Sequence, residues 1–337
     1  MKQALKKLIA LENLSVAEAV SAMETMMSGE ATHAQIGAFL TALRMKGETV
    51  EEISAFASVL RDKVNRVHLS FDAIDIVGTG GDGANTFNIS TAAAFVTAAA
   101  GMPVAKHGNR AASSLCGTAD VLEALGGNIT LAPKEAVLCL ERTGICFLFA
   151  QAYHSSMKHV AQPRREMGVR TVFNLIGPLS NPAFVRHQLL GVASADLVVP
   201  MARVLASLGM KHAMVVHGED GLDELSIGGC SHVAEVVDGN VTEFRIAPED
   251  FGLNRHPLES IRGGTADENA GFLRSVLNGE PGARRDVVLL NAGAALYVAD
   301  KAHSIGEGIM MAAKAIDTGA ALATLEGFLV ESSRTLQ

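Results

Sequence analysis

Apolar residues recur three and four positions apart in the first part of the chain, at Ile36, Phe39, Leu40 and Leu43 and again at Ile53, Phe56 and Leu60. That spacing lines one face of a helix. Three capping boxes punctuate the region: Ser15 with Glu18, Thr32 with Gln35, and Thr49 with Glu52. No strand-like run precedes Phe71, so residues 1–66 read as a small all-helical domain. Its methionines Met23, Met26 and Met27 suit either a core or a dimer interface. From about residue 71 the pattern changes to short apolar runs (AIDIVG, PVAKHG, AMVVHG, RDVVLLNAG), which we read as strands, each followed by a Gly-rich turn and a helix. The expected fold class is therefore α/β, with a mostly parallel central sheet flanked by helices over residues 71–337. Helices from about 155 to 182 are candidates to join the N-terminal domain, and Gly177-Pro178 and Asn181-Pro182 read as turns at a hinge. In such a sheet ligands collect at the carboxyl ends of the strands.

Composition narrows the classes. With 48% hydrophobic and 19% charged residues in 337, an extensive core is available and wholesale disorder is excluded. Aromatics make up 4%, with no Trp and two Tyr, too few for a base-stacking surface. A net charge of −8 opposes a duplex-binding face but leaves room for a local anion pocket. Four cysteines without CxxC spacing suggest neither a zinc site nor a disulfide framework. The N-terminal segment lacks the apolar run and cleavage site of a signal peptide, and the Ala-rich stretch AAAFVTAAAGMPVA is too short to span a bilayer. The expectation is a reduced, cytoplasmic enzyme with no nucleic-acid or membrane partner.

Four segments carry candidate chemistry. The first, GTGGDGANTFNIST from Gly78 to Thr91, lies between a strand and the helix TAAAFVTAAA. Glycines let backbone N–H groups approach an anion, and a helix N-terminus, with Ser90 or Thr91 as its expected cap, adds a favourable dipole. The segment contains GxGxxG at Gly78, Gly80 and Gly83, but NTFNIST delays the helix and the next strand ends in Lys106 rather than an acid. Lysine could serve the extra phosphate of NADP, so an NADP-dependent oxidoreductase stays open as an alternative. No GK[ST] follows, which removes a Walker loop.

The second segment runs from Lys106 and His107 through Asn109, Arg110, Ser113 and Ser114 to Thr118 and Asp120, offering cations and hydroxyls to an anion shared with the first turn. The third, Tyr153 to Pro182, gathers basic residues (Lys158, Arg164, Arg165, Arg170) in an otherwise acidic chain. One arginine there is expected to grip a planar carboxylate, the others to face solvent. The fourth places Asp223 and Glu224 after the run AMVVHG, where adjacent carboxylates can reach Mg²⁺ around a pyrophosphate.

Together these strings, with KHGNRAASS, GTADVLEALG, GVRTVFNLIGPLSNPA and DELS in this order, give a chain that resembles the anthranilate phosphoribosyltransferases over essentially its whole length. The resemblance implies transfer of a phosphoribosyl group from phosphoribosyl pyrophosphate to the amine of anthranilate, with Mg²⁺ (two ions), in a homodimer joined through the helical domain. By similarity the donor is held by Gly78, Gly81, Asp82, Thr86, Asn88, Ile89, Ser90, Thr91, Lys106, His107, Gly108, Asn109, Arg110, Ala111, Ala112, Ser113, Ser114 and Thr118. Gly78, Asn109 and Arg164 then contact anthranilate, and Ser90, Asp223 and Glu224 hold magnesium. No general base is assigned, because the amine of anthranilate is a neutral nucleophile at neutral pH. A pyrimidine-nucleoside-phosphorylase-like enzyme is the nearest alternative; it binds free phosphate and needs no paired acids for a metal.

Overall fold

Three of the four N-terminal helices begin where a hydroxyl can cap them. Helices α1 (Lys2–Ile9), α2 (Val16–Met27), α3 (His33–Lys46) and α4 (Val50–Asp62) open the chain. Ser15, Thr32 and Thr49 each accept from the backbone N–H three residues on, and Glu18, Gln35 and Glu52 reciprocate. Each cap contributes about 1 kcal/mol. The periodic residues are buried, with Phe39 and Phe56 edge to face at 6.1 Å. Met23, Met26 and Met27 are buried in the same cluster, so they are core.

The computed structural model describes residues 1–111 and 115–334. After the helices come β1 (Ile74–Gly78), α5 (Ile89–Ala99), β2 (Val104–Gly108), α6 (Thr118–Ala124), α7 (Pro133–Thr143) and β3 (Ile145–Phe149). Three helices follow, α8 (Ala150–Tyr153), α9 (Lys158–Met167) and α10 (Val172–Ile176), then β4 (His187–Gly191), α11 (Val198–Ser207) and β5 (His212–Gly218). The hairpin β6 (Ser231–Val237) and β7 (Asn240–Ile246) precedes α12 (Ala266–Leu277), α13 (Ala283–Val298), α14 (Ile305–Asp317) and α15 (Ala320–Ser332). No single helix among the described residues is long and apolar enough to cross a membrane.

The sheet runs in the order β3-β2-β1-β4-β5-β6-β7. Strands β3 to β5 pair in parallel; β6 and β7 continue antiparallel. The parallel strands are buried on both faces, which is why they read as continuous apolar runs, whereas the edge strand β7 is largely exposed. Strand order reverses between β1 and β4. A crevice therefore opens outside their carboxyl ends, where loops leave the sheet in opposite directions.

One expectation needs correction. The run RDVVLLNAG is not a strand but the middle of α13. A short apolar run cannot separate a buried strand from a buried helix, and this one continues through AALYV without a turn residue. Asn181, in one of the turns read as a hinge, is tied to the sheet: its amide donates to Asp75 Oδ2 and to the Ala105 carbonyl, both at 2.8 Å. Helices α9 and α10 pack on α2, α3 and α4, and Val160, Val172, Phe173 and Ile176 share the buried cluster of those helices.

Candidate active site

The glycine turn after β1 is built for close approach. At Gly78 a Cβ would fall 2.4 Å from a carboxylate oxygen of Asp223, so any side chain there would displace the acid. The turn is stitched to its neighbours by backbone: Thr79 N–H donates to the Gly191 carbonyl at the end of β4 (2.9 Å), and Gly80 N–H donates to Asp223 Oδ2 (2.7 Å). Arg170 clamps it from the other side, donating to the carbonyls of Gly81 (3.1 Å) and Gly80 (2.6 Å). Asp82 accepts from Ala84 N–H at 3.2 Å and lies beside Asp223.

The cap of α5 differs from expectation. Asn88, not Ser90 or Thr91, is the N-cap residue, and it makes no side-chain cap bond. Its amide is engaged elsewhere, donating to the Cys116 carbonyl (3.3 Å) and accepting from Asn269 (2.9 Å). Ser90, in the first turn of that helix, lies beside Glu224 and favours its ionised form. Thr91 Oγ1 meets Thr118 Oγ1 at 3.3 Å, joining α5 to α6, while Ile89 is buried beneath. Thr86 forms an antiparallel bridge with Arg262. Because α5 starts at Ile89, well past Gly83, the GxGxxG does not open a helix and the dinucleotide fingerprint fails.

Lys106, His107 and Gly108 end β2 rather than following it. Lys106 is 2% exposed, and its ammonium donates to the Ile76 carbonyl between the Asp75 and Glu224 charges. Burial lowers its pKa, opposed by those two carboxylates. Burial raises Asp75 to about 6 against the pull of Lys106. His107 is buried 5.2 Å from the ring of His154, and burial pushes both imidazoles down, His154 to about 4. Asn109 is exposed and accepts from Gln151 at 3.3 Å. Arg110 is committed to Asp120 (3.0 Å) and Glu123, and Ala111 N–H also bonds Asp120. Ala112, Ser113 and Ser114 lie outside the described residues.

Opposite the cation stand the acids. Asp223 is 9% exposed, and its pKa is raised well above the carboxylate range by burial and then by Glu224 and Asp82. Burial raises Glu224 to about 7, with Lys106 opposing and Asp82 adding to the rise. Asp223 and Glu224 offer hard oxygen donors of the kind that suit Mg²⁺, with the Asp82 charge nearby. Among the described residues no group of three or more His, Cys, Asp or Glu side chains is placed to hold a metal ion.

Arg164 sits on α9 with its guanidinium 4.9 Å over the Phe173 ring, and burial lowers its pKa. The structure thus brings together Gly78, Asp82, Ser90, Lys106, Asp223 and Glu224, and leaves Arg110 paired on α6. Sequence reasoning gave no role to Arg170, Asn269 or Asn291. The available signal was weak: an Asn within an apolar helix run.

Comparison with known proteins agrees with this geometry. Residues 2–64 match the helical bundle domain of a glycosyl transferase family, and residues 70–322 match the a/b domain of the same family. The anthranilate phosphoribosyltransferase of Symbiobacterium thermophilum is 56% identical over 97% of this chain and 96% of its own. The anthranilate phosphoribosyltransferase of Thermus thermophilus superposes with a TM-score of 0.93 at 44% identity, covering 98% and 99% of the two chains. The Saccharomyces cerevisiae enzyme, solved with PRPP and Mg, gives a TM-score of 0.91 at 30% identity over 98% and 97%.

Proposed function

The chain belongs to the anthranilate phosphoribosyltransferase family, and from that premise we infer that it transfers the phosphoribosyl group of PRPP to the amine of anthranilate, releasing pyrophosphate in tryptophan biosynthesis. The observation that carries the reading is the meeting of the glycine turn, Lys106 and the Asp223–Glu224 pair at the β1/β4 reversal.

The chemistry follows from the charges. Departure of pyrophosphate leaves positive charge on the ribose and puts negative charge on the leaving group. Lys106 and the N–H groups of the Gly78–Gly83 turn and the first turn of α5 hold phosphate oxygens, with Thr86, Asn88, Ser90, Thr91 and Thr118 beside them. Ser90, Asp223 and Glu224 hold Mg²⁺, for which we propose two ions. Bound there, Mg²⁺ supplies charge stabilisation of the departing diphosphate. Arg164 and Asn109 bind the anthranilate carboxylate and orient its ring, the arginine fork matching a planar acid. No base is needed to activate a neutral aromatic amine. Holding two substrates in line is worth about 7–11 kcal/mol, so positioning carries most of the rate.

We further propose a homodimer joined through the helical domain, a cytoplasmic location, and domain limits at 1–66, supplemented by the helices of about 155–182, and 71–337. The helical-bundle match over residues 2–64 and the packing of α9 and α10 on α2–α4 support those limits. The test is fluorescence: purified protein with PRPP and Mg²⁺ should consume anthranilate fluorescence, and a chelator should stop it. Undiminished turnover after chelation would reject the paired-acid site and favour a phosphorylase-like enzyme.

A further inference from the structure

The run RDVVLLNAG is a helix, yet it carries an Asn where an apolar helix has no use for one. Asn291 is 0% exposed. Its side chain faces the backbone of Leu225, the residue directly after Asp223 and Glu224. Leu225 N–H donates to Asn291 Oδ1 at 3.0 Å, and Asn291 Nδ2 donates to the Leu225 carbonyl at 3.0 Å. The remaining amide proton goes to the Val287 carbonyl at 2.9 Å, within the same helix. The amide thus satisfies both polar groups of one loop residue, as a neighbouring strand would, and every polar atom of the side chain is used. A buried amide without those partners would leave polar groups unpaired in the interior, so the pairing specifies where the loop sits.

The loop is held from a second side. At Gly191, the end of β4, a Cβ would lie 1.6 Å from the Asp223 carbonyl oxygen, so the acid pair rests directly on bare β4 backbone. Helix α13 also packs on α5, which begins with the Ser90 turn, and on β4 and β5. One helix therefore contacts every element that presents Ser90, Asp223 and Glu224. We propose that Asn291 is a positioning residue for the metal-binding loop: it never touches metal or substrate, and it fixes the height and direction at which the two carboxylates face the diphosphate. The proposal rests on the assignment of Asp223 and Glu224 to the metal.

The experiment reads Mn²⁺ as a spectroscopic substitute for Mg²⁺. Free Mn²⁺ is titrated by electron paramagnetic resonance against the full-length protein in the presence of PRPP, for wild type, Asp223→Asn, Asn291→Leu and Asn291→Asp. Wild type should bind and Asp223→Asn should not; equal binding by these two overturns the metal assignment and the proposal with it. Loss of an outer group that orients metal ligands typically weakens metal affinity roughly 10–100-fold. Asn291→Leu, which removes both bonds to Leu225, should fall in that range, and Asn291→Asp, which keeps the acceptor for Leu225 N–H but turns a second acceptor on the Leu225 and Val287 carbonyls, should fall at least as far. In steady state the apparent Mg²⁺ requirement should rise while the anthranilate KM stays put. Wild-type Mn²⁺ affinity in both Asn291 variants, or a proportional rise in every constant, overturns the proposal. Hydrogen exchange of the wild-type segment 222–226 covers variants that fail to fold. The Leu225 amide should exchange as slowly as those of β5, and exchange as fast as that of the exposed 81–85 turn would refute the clamp.

Discussion

The two ends of the central sheet treat charge in opposite ways. At the amino end cations and anions are matched: Lys211 meets Asp300 at 2.6 Å, Arg186 meets Asp72 at 3.1 Å, and His212 is bonded to both Glu235 (2.9 Å) and Asp300 (3.0 Å). At the carboxyl end Asp82, Asp223 and Glu224 crowd together, and Lys106, buried and already bonded to the Ile76 carbonyl, also answers Asp75. The first end is finished as folded. The second carries more carboxylates than cations, an excess that a bound divalent cation would offset. Unpaired buried charge lowers stability, so its presence at one edge alone marks where ligand energy is meant to enter.

The largest expected effect breaks the incomplete end. Asp223→Asn should lower kcat/KM by about 10²–10³, as for loss of one charge-stabilising group, and shift the Mg²⁺ optimum. The same change should raise the melting temperature of the free protein at high pH, where ionising the buried Asp223 carboxyl beside Glu224 and Asp82 costs stability. A lower melting temperature would contradict the contrast drawn between the two ends.

Next comes the acceptor side. Arg164→Ala should raise the anthranilate KM by about tenfold or more, roughly 1.4 kcal/mol, and leave the PRPP KM nearly unchanged. Initial-rate kinetics with each substrate varied decide it, and the reverse pattern rejects the assignment.

Third is pH. Glu224 is raised from 4.5 to about 7, so between those values the folded protein holds a proton that the unfolded chain has released. The contribution of Glu224 is complete below about pH 4.5 and lost as pH rises toward 7. Chemical denaturation across this window should show the wild type losing stability relative to Glu224→Gln as pH rises, and Mg²⁺ with PRPP should reduce or reverse that difference, because metal binding requires the ionised form.

The smallest effect tests the finished end. Burial opposes the charge on His212, but its bonds to Glu235 and Asp300 outweigh burial and raise its pKa. Its contribution is therefore present below about pH 6.5, its unperturbed value, and fades as pH rises through the elevated one. His212→Gln should destabilise more at pH 6 than at pH 9 and leave kcat/KM unaltered; a change in catalysis would mean that the two ends are coupled.

Much of the site was readable in the chain itself. The glycine turn, Lys106 and the adjacent acids are local strings whose chemistry is fixed by residue type. So were the three capping boxes and the amphipathic stripes of α3 and α4, because a helix cap and a helix face involve residues only a few positions apart. What failed was longer in range. RDVVLLNAG looks like β2 or β5 when read locally, and only packing against α5, β4 and α14 makes it a helix. Asn88 surrendered its capping role because Asn269, far along the chain, holds its amide.

The division has a physical reason. Hydrogen bonds and hydrophobic periods within one turn or strand depend on neighbours in sequence, so the order of residues alone determined the helical N-terminal region, the parallel-sheet class and the kinds of chemical group available. Desolvation and mutual repulsion depend on neighbours in space. The tertiary structure therefore decided that Asp82, Lys106 and Glu224 share one crevice, that Arg110 is tied to α6 while Arg170 grips the glycine turn, and that a buried amide on α13 sets the acid loop in place.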